Sequence, residues 1–358
     1  MSRFHELKVA DVRQETRDTV SIAFAPPTDA RGDFRYQAGQ HLALRARIEG
    51  EEVMRTYSIC TGEQDNELRV AVKRQPHGRF SNYVNDHLRP GDVLEVMPPQ
   101  GSFSLKFDPS RARNYLAFAA GSGITPIISM IRTGLAAEPE STFTLVYGNR
   151  STQAMIFREP LEDLKNAHMG RFTLVPVMSR EQTDIDLFHG HIDEAKCEAL
   201  FRHWVDPSDV DECVICGPES MIHAVSASLK AHGVDARRIH FELFTPPGEA
   251  EQRRRERATN KRLDHSATAV TVRVDGGEVT FDLPKNSASI LDAGIEAGAD
   301  LPFSCKGGVC STCRARVVEG EVEMDVNYAL EDYEVDAGYV LTCQSYPVSQ
   351  RVVVDYDQ

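Results

Sequence analysis

Four cysteines near the end of the chain carry its most specific chemistry. Cys305-Lys-Gly-Gly-Val-Cys310-Ser-Thr-Cys313 is followed, after twenty-nine residues, by Cys343. The pattern Cys-x4-Cys-x2-Cys…Cys is the plant-type spacing of a [2Fe–2S] centre. Four thiolates must converge on two irons, so one tight loop supplies three of them and a distant segment closes the cage. Gly307 and Gly308 let that loop wrap closely and aim N–H groups at the sulfurs. A zinc site would pair two Cys-x2-Cys hairpins, and this segment holds one. Cys213-Val-Ile-Cys216 does not supply the other, because side chains three apart on a strand point to opposite faces. Cys60 and Cys197 read as core thiols.

Three further groups of residues suit nucleotides. Arg55-Thr-Tyr57-Ser58-Ile59 falls on an expected barrel strand, with Arg55, Tyr57 and Ile59 on one face and Ser58 on the other. A cation, a flat ring and a hydroxyl are what a dinucleotide flavin needs at its pyrophosphate, its ring system and its ring nitrogens. Gly78-Arg79-Phe80-Ser81 precedes an amphipathic stretch, Asn82–Leu88. A glycine turn feeding a helix N-terminus is an anion site, and Ser81 is expected as the N-cap. Gly121-Ser-Gly123-Ile-Thr125-Pro126 follows an apolar run and opens the helix Ile127–Leu135, with Pro126 expected at its first position. Tyr147-Gly-Asn-Arg150 and Cys216-Gly217-Pro218-Glu-Ser-Met221 fall at other strand ends, where open α/β sheets bind ligands. Ser179-Arg180 follows the expected strand Arg171–Val177. A hydroxyl and a guanidinium there suit a ribose 2′-phosphate and favour NADPH over NADH.

The elements that must position these groups divide the chain into four parts. Residues 1–107 read as antiparallel strands (Leu7–Val12, Val20–Ala25, Gln40–Arg45, Leu68–Lys73, Val93–Met97) broken by turn residues, a small β-barrel. Residues 108–245 alternate strand and helix, with buried strands at Tyr115–Ala120, Thr142–Tyr147, Arg171–Val177 and Glu212–Cys216. That is the signature of a parallel sheet. Residues 246–267 carry two prolines and an RRRER run with four interspersed acids, and read as a linker rather than a nucleic-acid patch. Residues 268–358 open with a strand, Thr268–Val274, and a hairpin at Asp275-Gly276-Gly277. A helix from Ser289 follows, and a strand at Arg351–Asp355 closes the domain.

Composition narrows the partners. The 358 residues carry a net charge of −14, and residues 268–358 alone hold sixteen acids and six bases. That excess argues against nucleic acid or an anionic membrane as a partner. Residues 319–336 hold eight acids and no base, a face suited to a basic patch on a partner. The longest apolar runs are far too short to span a bilayer. The opening MSRFHELKVA has no apolar h-region, so a cytoplasmic location is expected.

The Arg55–Ile59, Gly78–Ser81, Gly121–Pro126 and Cys216–Met221 elements together resemble the ferredoxin–NADP reductase superfamily. The resemblance implies that Arg55 and the Gly78-Arg79-Phe80-Ser81 turn bind the FAD pyrophosphate, and that Tyr57 packs on the isoalloxazine. Ser58 would lie near N5, and Phe244 and Glu242 in His240-Phe-Glu-Leu-Phe244 would lie by the flavin. It assigns Gly121, Gly123, Thr125, Pro126 and Cys216-Gly217-Pro218 to the nicotinamide nucleotide. Superfamily members carry a similar Ser-Arg-Glu-Gln, as Ser179–Gln182 do here. Over the whole chain, Phe4–Leu7, Gly148–Gln153, Cys305–Cys313, Asn327–Glu331 and Ala337–Leu341 resemble the reductase subunits of phenylacetyl-CoA epoxidase complexes. The resemblance implies electron flow from NADPH through FAD and [2Fe–2S] to an oxygenase, with Ser58, Glu242 and Cys216 at the site of hydride transfer. A reductase for an aromatic-ring dioxygenase, a hybrid-cluster protein or a desaturase has the same cofactor motifs. A non-catalytic electron-transfer subunit would lack the nucleotide elements, and a redox-sensing regulator would need a DNA-binding element.

Overall fold

The computed structural model describes residues 4–244 and 267–358, apart from Thr183, Asn286, Ser304 and Glu331. The expected linker therefore lies almost wholly outside the described residues. The chain divides into two compact units, one of residues 4–244 and one formed by the C-terminal stretch to Gln358.

The first unit begins with six strands: β1 (His5–Thr16), β2 (Thr19–Ala25), β3 (His41–Ile48), β4 (Glu51–Ser58), β5 (Leu68–Lys73) and β6 (Val93–Val96). They pair antiparallel in the order β4-β3-β6-β1-β2-β5. A bridge between Ile59 and Val70 ties the end of β4 to β5 and closes the sheet into a barrel. Alternation drives this: Leu7 and Val9, Ile22 and Phe24, Leu42 and Leu44, and Val70 and Val72 all point into one core. The helix α1 (Arg79–His87) packs Phe80 and Val84 into the same core.

Five parallel strands follow: β7 (Asn114–Ala120), β8 (Thr142–Asn149), β9 (Phe172–Met178), β10 (Glu212–Gly217) and β11 (Ile239–Leu243), in the order β11-β10-β7-β8-β9. The helices α2 (Ile124–Ala137), α3 (Arg158–Ala167), α4 (Glu194–His203) and α5 (Glu219–Ala231) connect them. Strand order reverses between β7 and β10, which makes their carboxyl ends the topological switch point. The barrel and this layer share one apolar core, in which Ala38, Cys60, Phe103 and Leu105 join Ile124, Ile127 and Ile131. Polar bonds pin the seam: Ser129 Oγ donates to the Thr61 carbonyl at 2.6 Å, and Arg132 pairs with Asp65 at 2.9 Å. At Gly39, with φ +101°, any Cβ would strike the Phe103 carbonyl.

The second unit is a β-grasp. Its sheet runs β13-β12-β18-β14-β16, built from β12 (Ala267–Val274), β13 (Gly277–Pro284), β14 (Arg314–Glu319), β16 (Tyr339–Leu341) and β18 (Arg351–Asp355). The short strands β15 (Val322–Met324) and β17 (Ser345–Pro347) pair separately, and α6 (Ile290–Glu296) and α7 (Asp332–Asp336) complete it. Asp275 and Gly276 take φ of 51° and 73°, the left-handed pair that a two-residue hairpin turn requires. Ser289 caps α6, accepting from Asp292 N–H at 3.1 Å.

Four local expectations are corrected. The first helix begins at Arg79 and its N-cap is Gly78, so Ser81 stands inside the first turn and its Oγ accepts from Gln75 N–H at 3.1 Å. The helix α2 begins at Ile124, so Pro126 is its third residue, where its missing N–H is still one of the unpaired donors of the first turn. In the cysteine loop the left-handed residues are Lys306 (φ 51°) and Gly308 (φ 77°), not Gly307. The segment Ile239–Leu243 is a fifth parallel strand that the sequence pattern does not announce.

Candidate functional site

The cysteine loop brings its thiols together as two pairs. Cys310 Sγ lies 3.1 Å from Cys305 Sγ, and Cys313 is buried beside Cys343. Cys343 sits in the 3₁₀ turn Thr342–Gln344 directly after β16, which carries the fourth thiol back to the loop. Gly307 N–H points at Cys305 Sγ at 3.3 Å, and Gln344 Nε2 donates to Cys343 Sγ at 3.5 Å. Gly308 is needed for its left-handed backbone, and a Cβ there would stand 3.0 Å from the Val326 carbonyl. The Cys310 thiol and the surrounding N–H groups hold Cys305 below the usual thiol range. The hydrogen bond within each thiol pair, then burial and repulsion, push Cys310 and Cys313 above it. Thiols packed this closely cannot all ionise without a counter-charge. A [2Fe–2S] centre would supply that charge, and these four thiols are the residues that would hold it. Thr312 adds a buried hydroxyl with no partner at the same loop.

At the barrel, Ser58 Oγ donates to Glu242 Oε2 at 3.3 Å, joining the end of β4 to β11. Tyr57 is half-buried, its ring 5.8 Å from that of Phe80, and burial pushes its phenol well above the usual range. Arg55 is exposed and has no carboxylate partner among the described residues; its Nη1 donates to the Met54 carbonyl at 2.6 Å. The first turn of α1 offers the N–H groups of Arg79, Phe80 and Ser81. Gly78 leaves room for that turn, since a Cβ would meet Ser81 Oγ at 2.5 Å. The Arg79 guanidinium is committed elsewhere, to Glu51 and to the Ile48 carbonyl. Only its backbone remains open to an anion. This donor set fits a flavin dinucleotide. Phe244, the last described residue of the unit, is half-buried against the shared core.

At the switch point, Gly121 takes φ +53° and Gly123 sits where a Cβ would lie 2.1 Å from the Cys216 carbonyl. Thr125 Oγ1 donates to the Ser122 carbonyl at 3.0 Å and steadies the loop. A Cβ at Gly217 would meet the flexible end of Met221 at 2.6 Å and the Ala120 Cβ at 3.1 Å, and Pro218 caps α5. Cys216 is buried and pairs in register with Glu242; burial and that carboxylate push its thiol far up, so it is a neutral group and not a nucleophile. Lys73, at the end of β5 and 3.9 Å from the Asp18 carboxylate, is brought beside the glycine loop by the fold and is not among the residues the sequence singles out. Its Nζ stands 3.8 Å from the Cβ position of Gly121, a cation from the barrel beside the glycine loop. No local pattern marks it, because barrel and loop meet only in the fold. Asn149, at the end of β8, buries an amide Nδ2 with no partner. These groups fit a nicotinamide dinucleotide.

Three family models match the chain in the same order: the oxidoreductase FAD-binding domain over residues 6–105, the oxidoreductase NAD-binding domain over 118–227, and the 2Fe-2S iron-sulfur cluster binding domain over 272–348. A subunit of the 1,2-phenylacetyl-CoA epoxidase from Escherichia coli (strain K12) is 47% identical over 357 residues, covering 100% of this chain and 99% of that protein. The chain belongs to the family of that subunit. Its fold and cofactor domains make it an NAD(P)H-dependent oxidoreductase of the ferredoxin reductase superfamily with a C-terminal ferredoxin. A second member, the ferredoxin reductase component of 3-ketosteroid-9-alpha-monooxygenase from Rhodococcus rhodochrous, is 33% identical over 99% of this chain and 97% of its own. Among solved structures, phthalate dioxygenase reductase is 25% identical with a TM-score of 0.60 over 98% of both chains. An intact type IV self-sufficient cytochrome P450 monooxygenase matches with a TM-score of 0.69 at 24% identity, covering 98% of this chain. The chain spans about two fifths (41%) of that P450, and the likeness there is one of fold. Among the described residues no helix is long and apolar enough to cross a membrane.

Proposed function

We propose that this protein is the reductase of a phenylacetyl-CoA epoxidase, taking electrons from NADPH and delivering them to the oxygenase subunits. The observation that carries the coenzyme half of this reading is the order of groups along the carboxyl edge of the parallel sheet. Glu242 and Cys216 end β11 and β10, Gly121 and Lys73 stand at β7, and Ser179 and Arg180 follow β9. A dinucleotide laid along that edge puts its nicotinamide at Ser58 and Glu242, its pyrophosphate at the glycine loop, and its adenosine ribose beyond β8.

FAD accepts a hydride and releases electrons singly, and the [2Fe–2S] centre carries one electron at a time. The chain's own residues supply position and charge. Arg55 and the first-turn N–H groups of α1 hold the flavin pyrophosphate, and Tyr57 flanks the ring. Ser58 Oγ, oriented by Glu242, presents a hydroxyl where N5 changes protonation. Gly123 lets the glycine loop close against the end of β10, and Cys216 and Phe244 line the apolar side of the nicotinamide. Lys73 neutralises the coenzyme pyrophosphate. Ser179 and Arg180 meet the 2′-phosphate, which selects NADPH. Cys305, Cys310, Cys313 and Cys343 would hold the [2Fe–2S] centre.

The oxygenase is named on the full-length 47% identity to the epoxidase component, against 33% for the steroid monooxygenase component. Reconstitution tests it. Epoxidase oxygenase subunits lacking their own reductase should consume phenylacetyl-CoA when given this protein and NADPH. Turnover with a 3-ketosteroid or ring-dioxygenase oxygenase, and none with the epoxidase, would refute the assignment.

A further inference from the structure

Two guanidinium groups leave the carboxyl ends of neighbouring strands with nothing to pair them. Arg150 follows β8 and Arg180 follows β9, and the Arg180 N–H donates to the Arg150 carbonyl at 2.9 Å. Both residues are exposed, and among the described residues neither side chain has a hydrogen bond or an ion pair. Two like charges brought to one edge favour an anion between them. The adjacent carboxylate, Glu181, is taken. Glu181 accepts from Thr152 N–H at 2.6 Å and from Thr152 Oγ1 at 2.9 Å. That clasp ties the loop after β9 to the loop after β8, and it keeps both arginines at one edge without neutralising either.

We infer that Arg150 is the second cation of a two-arginine clamp on the adenosine 2′-phosphate of the coenzyme, and that Glu181 and Thr152 are the positioning residues that set it. The inference rests on the reading that Ser179 and Arg180 face that phosphate. It adds a specificity residue on a different strand. A dianionic monoester offers three oxygens, enough for a guanidinium from each side, and Arg suits it better than Lys because its fork engages two of them. The clamp lies two strands from the switch point, about 10 Å along the edge at ordinary strand spacing, where the adenosine end of a dinucleotide falls.

The test uses the holoenzyme with Arg150→Ala, Arg180→Ala and Glu181→Ala, and two probes, 2′,5′-ADP and 5′-AMP, as inhibitors of flavin reduction beside NADPH and NADH. Arg150→Ala should weaken 2′,5′-ADP and NADPH by about 10- to 150-fold, the range of a charge-assisted hydrogen bond. It should leave NADH and 5′-AMP near their wild-type values. If Arg180→Ala shows that split and Arg150→Ala binds 2′,5′-ADP as wild type does, Arg150 is a solvated cation and the clamp is wrong while the coenzyme reading survives. If neither arginine variant separates NADPH from NADH, the coenzyme reading falls and the clamp with it. Glu181→Ala should weaken NADPH more than NADH. An equal loss for both would make the clasp a loop staple with no part in selection.

Discussion

Replacing Gly123 by alanine tests the glycine loop more sharply than any charge change. Its φ of −62° is open to any residue, so conformation does not explain the glycine. Space does. A Cβ would stand 2.1 Å from the Cys216 carbonyl oxygen, 2.6 Å from its carbon and 3.1 Å from Gly217 N. All three are backbone atoms at the end of β10, which is paired on both sides by β7 and β11. To reach even 3.0 Å, loop and strand must part by about 1 Å. Overpacking of that kind costs about 1–3 kcal/mol. It falls where the nicotinamide must meet the flavin, and a displacement of about 1 Å at a reacting centre costs on the order of 100-fold in rate. Anaerobic stopped-flow with NADPH should therefore show flavin reduction slowed by about two orders of magnitude, with flavin content and the iron–sulfur spectrum unchanged. Gly121→Asn is the control. Its φ of +53° suits asparagine, and the nearest foreign atom is Lys73 Nζ at 3.8 Å, so it should lose less than Gly123→Ala. Wild-type flavin reduction in Gly123→Ala would refute the placement of the coenzyme against Cys216.

Cys310→Ser should abolish the iron–sulfur absorbance and EPR signal while NADPH still reduces bound flavin; a retained cluster would remove Cys310 from the ligand set. Burial holds the His41 imidazole down at about 4, so the folded state resists a proton that the unfolded chain takes up near 6.5. Stability from this group is complete above pH 6.5 and is lost as pH falls toward 4, by about 3 kcal/mol. Denaturant titrations at pH 7 and pH 5 should show a smaller fall for His41→Phe than for wild type, and an equal fall would exclude the residue. Electron delivery to the oxygenase at low salt should slow as salt rises, and neutralising the exposed acids Glu321, Glu323 and Asp336 together should flatten that response. Glu334 behaves differently: buried and paired with Arg314 at 2.5 Å, its change to Gln should cost about 1 kcal/mol of stability and leave the salt response alone.

The cysteine motif is legible because thiolate geometry on two irons constrains spacing within the chain itself. Strand Leu68–Lys73 and strand Arg351–Asp355 are legible to the residue, since each is a short, strongly alternating or continuous apolar run between polar breaks. The strand Ile239–Leu243 is not, because it lies at the sheet edge and leaves Phe241 exposed, which blurs its period. Serine usually takes the cap position, which makes Ser81 the expected cap; in the fold Gly78 has that place, and the hydroxyl serves Gln75. Arg79 offers a free cation on paper, but its partner Glu51 is brought up by the barrel. The same holds for Glu334, whose burial depends on Arg314 twenty residues away. Lys73 meets the glycine loop only in the fold, so no window of sequence displays it, whereas Arg150 belongs to the strand end Tyr147–Arg150 that the sequence does offer and only its place beside Arg180 comes from the fold.

One chain should carry electrons from NADPH to its own iron–sulfur centre, and freeze-quench EPR of the purified protein reads that transfer. Mixed anaerobically with NADPH alone, the wild type should develop the signal of a reduced [2Fe–2S] centre after the flavin absorbance falls, with no other protein present. Flavin that is reduced while the cluster stays EPR-silent, even with excess NADPH, would contradict the account.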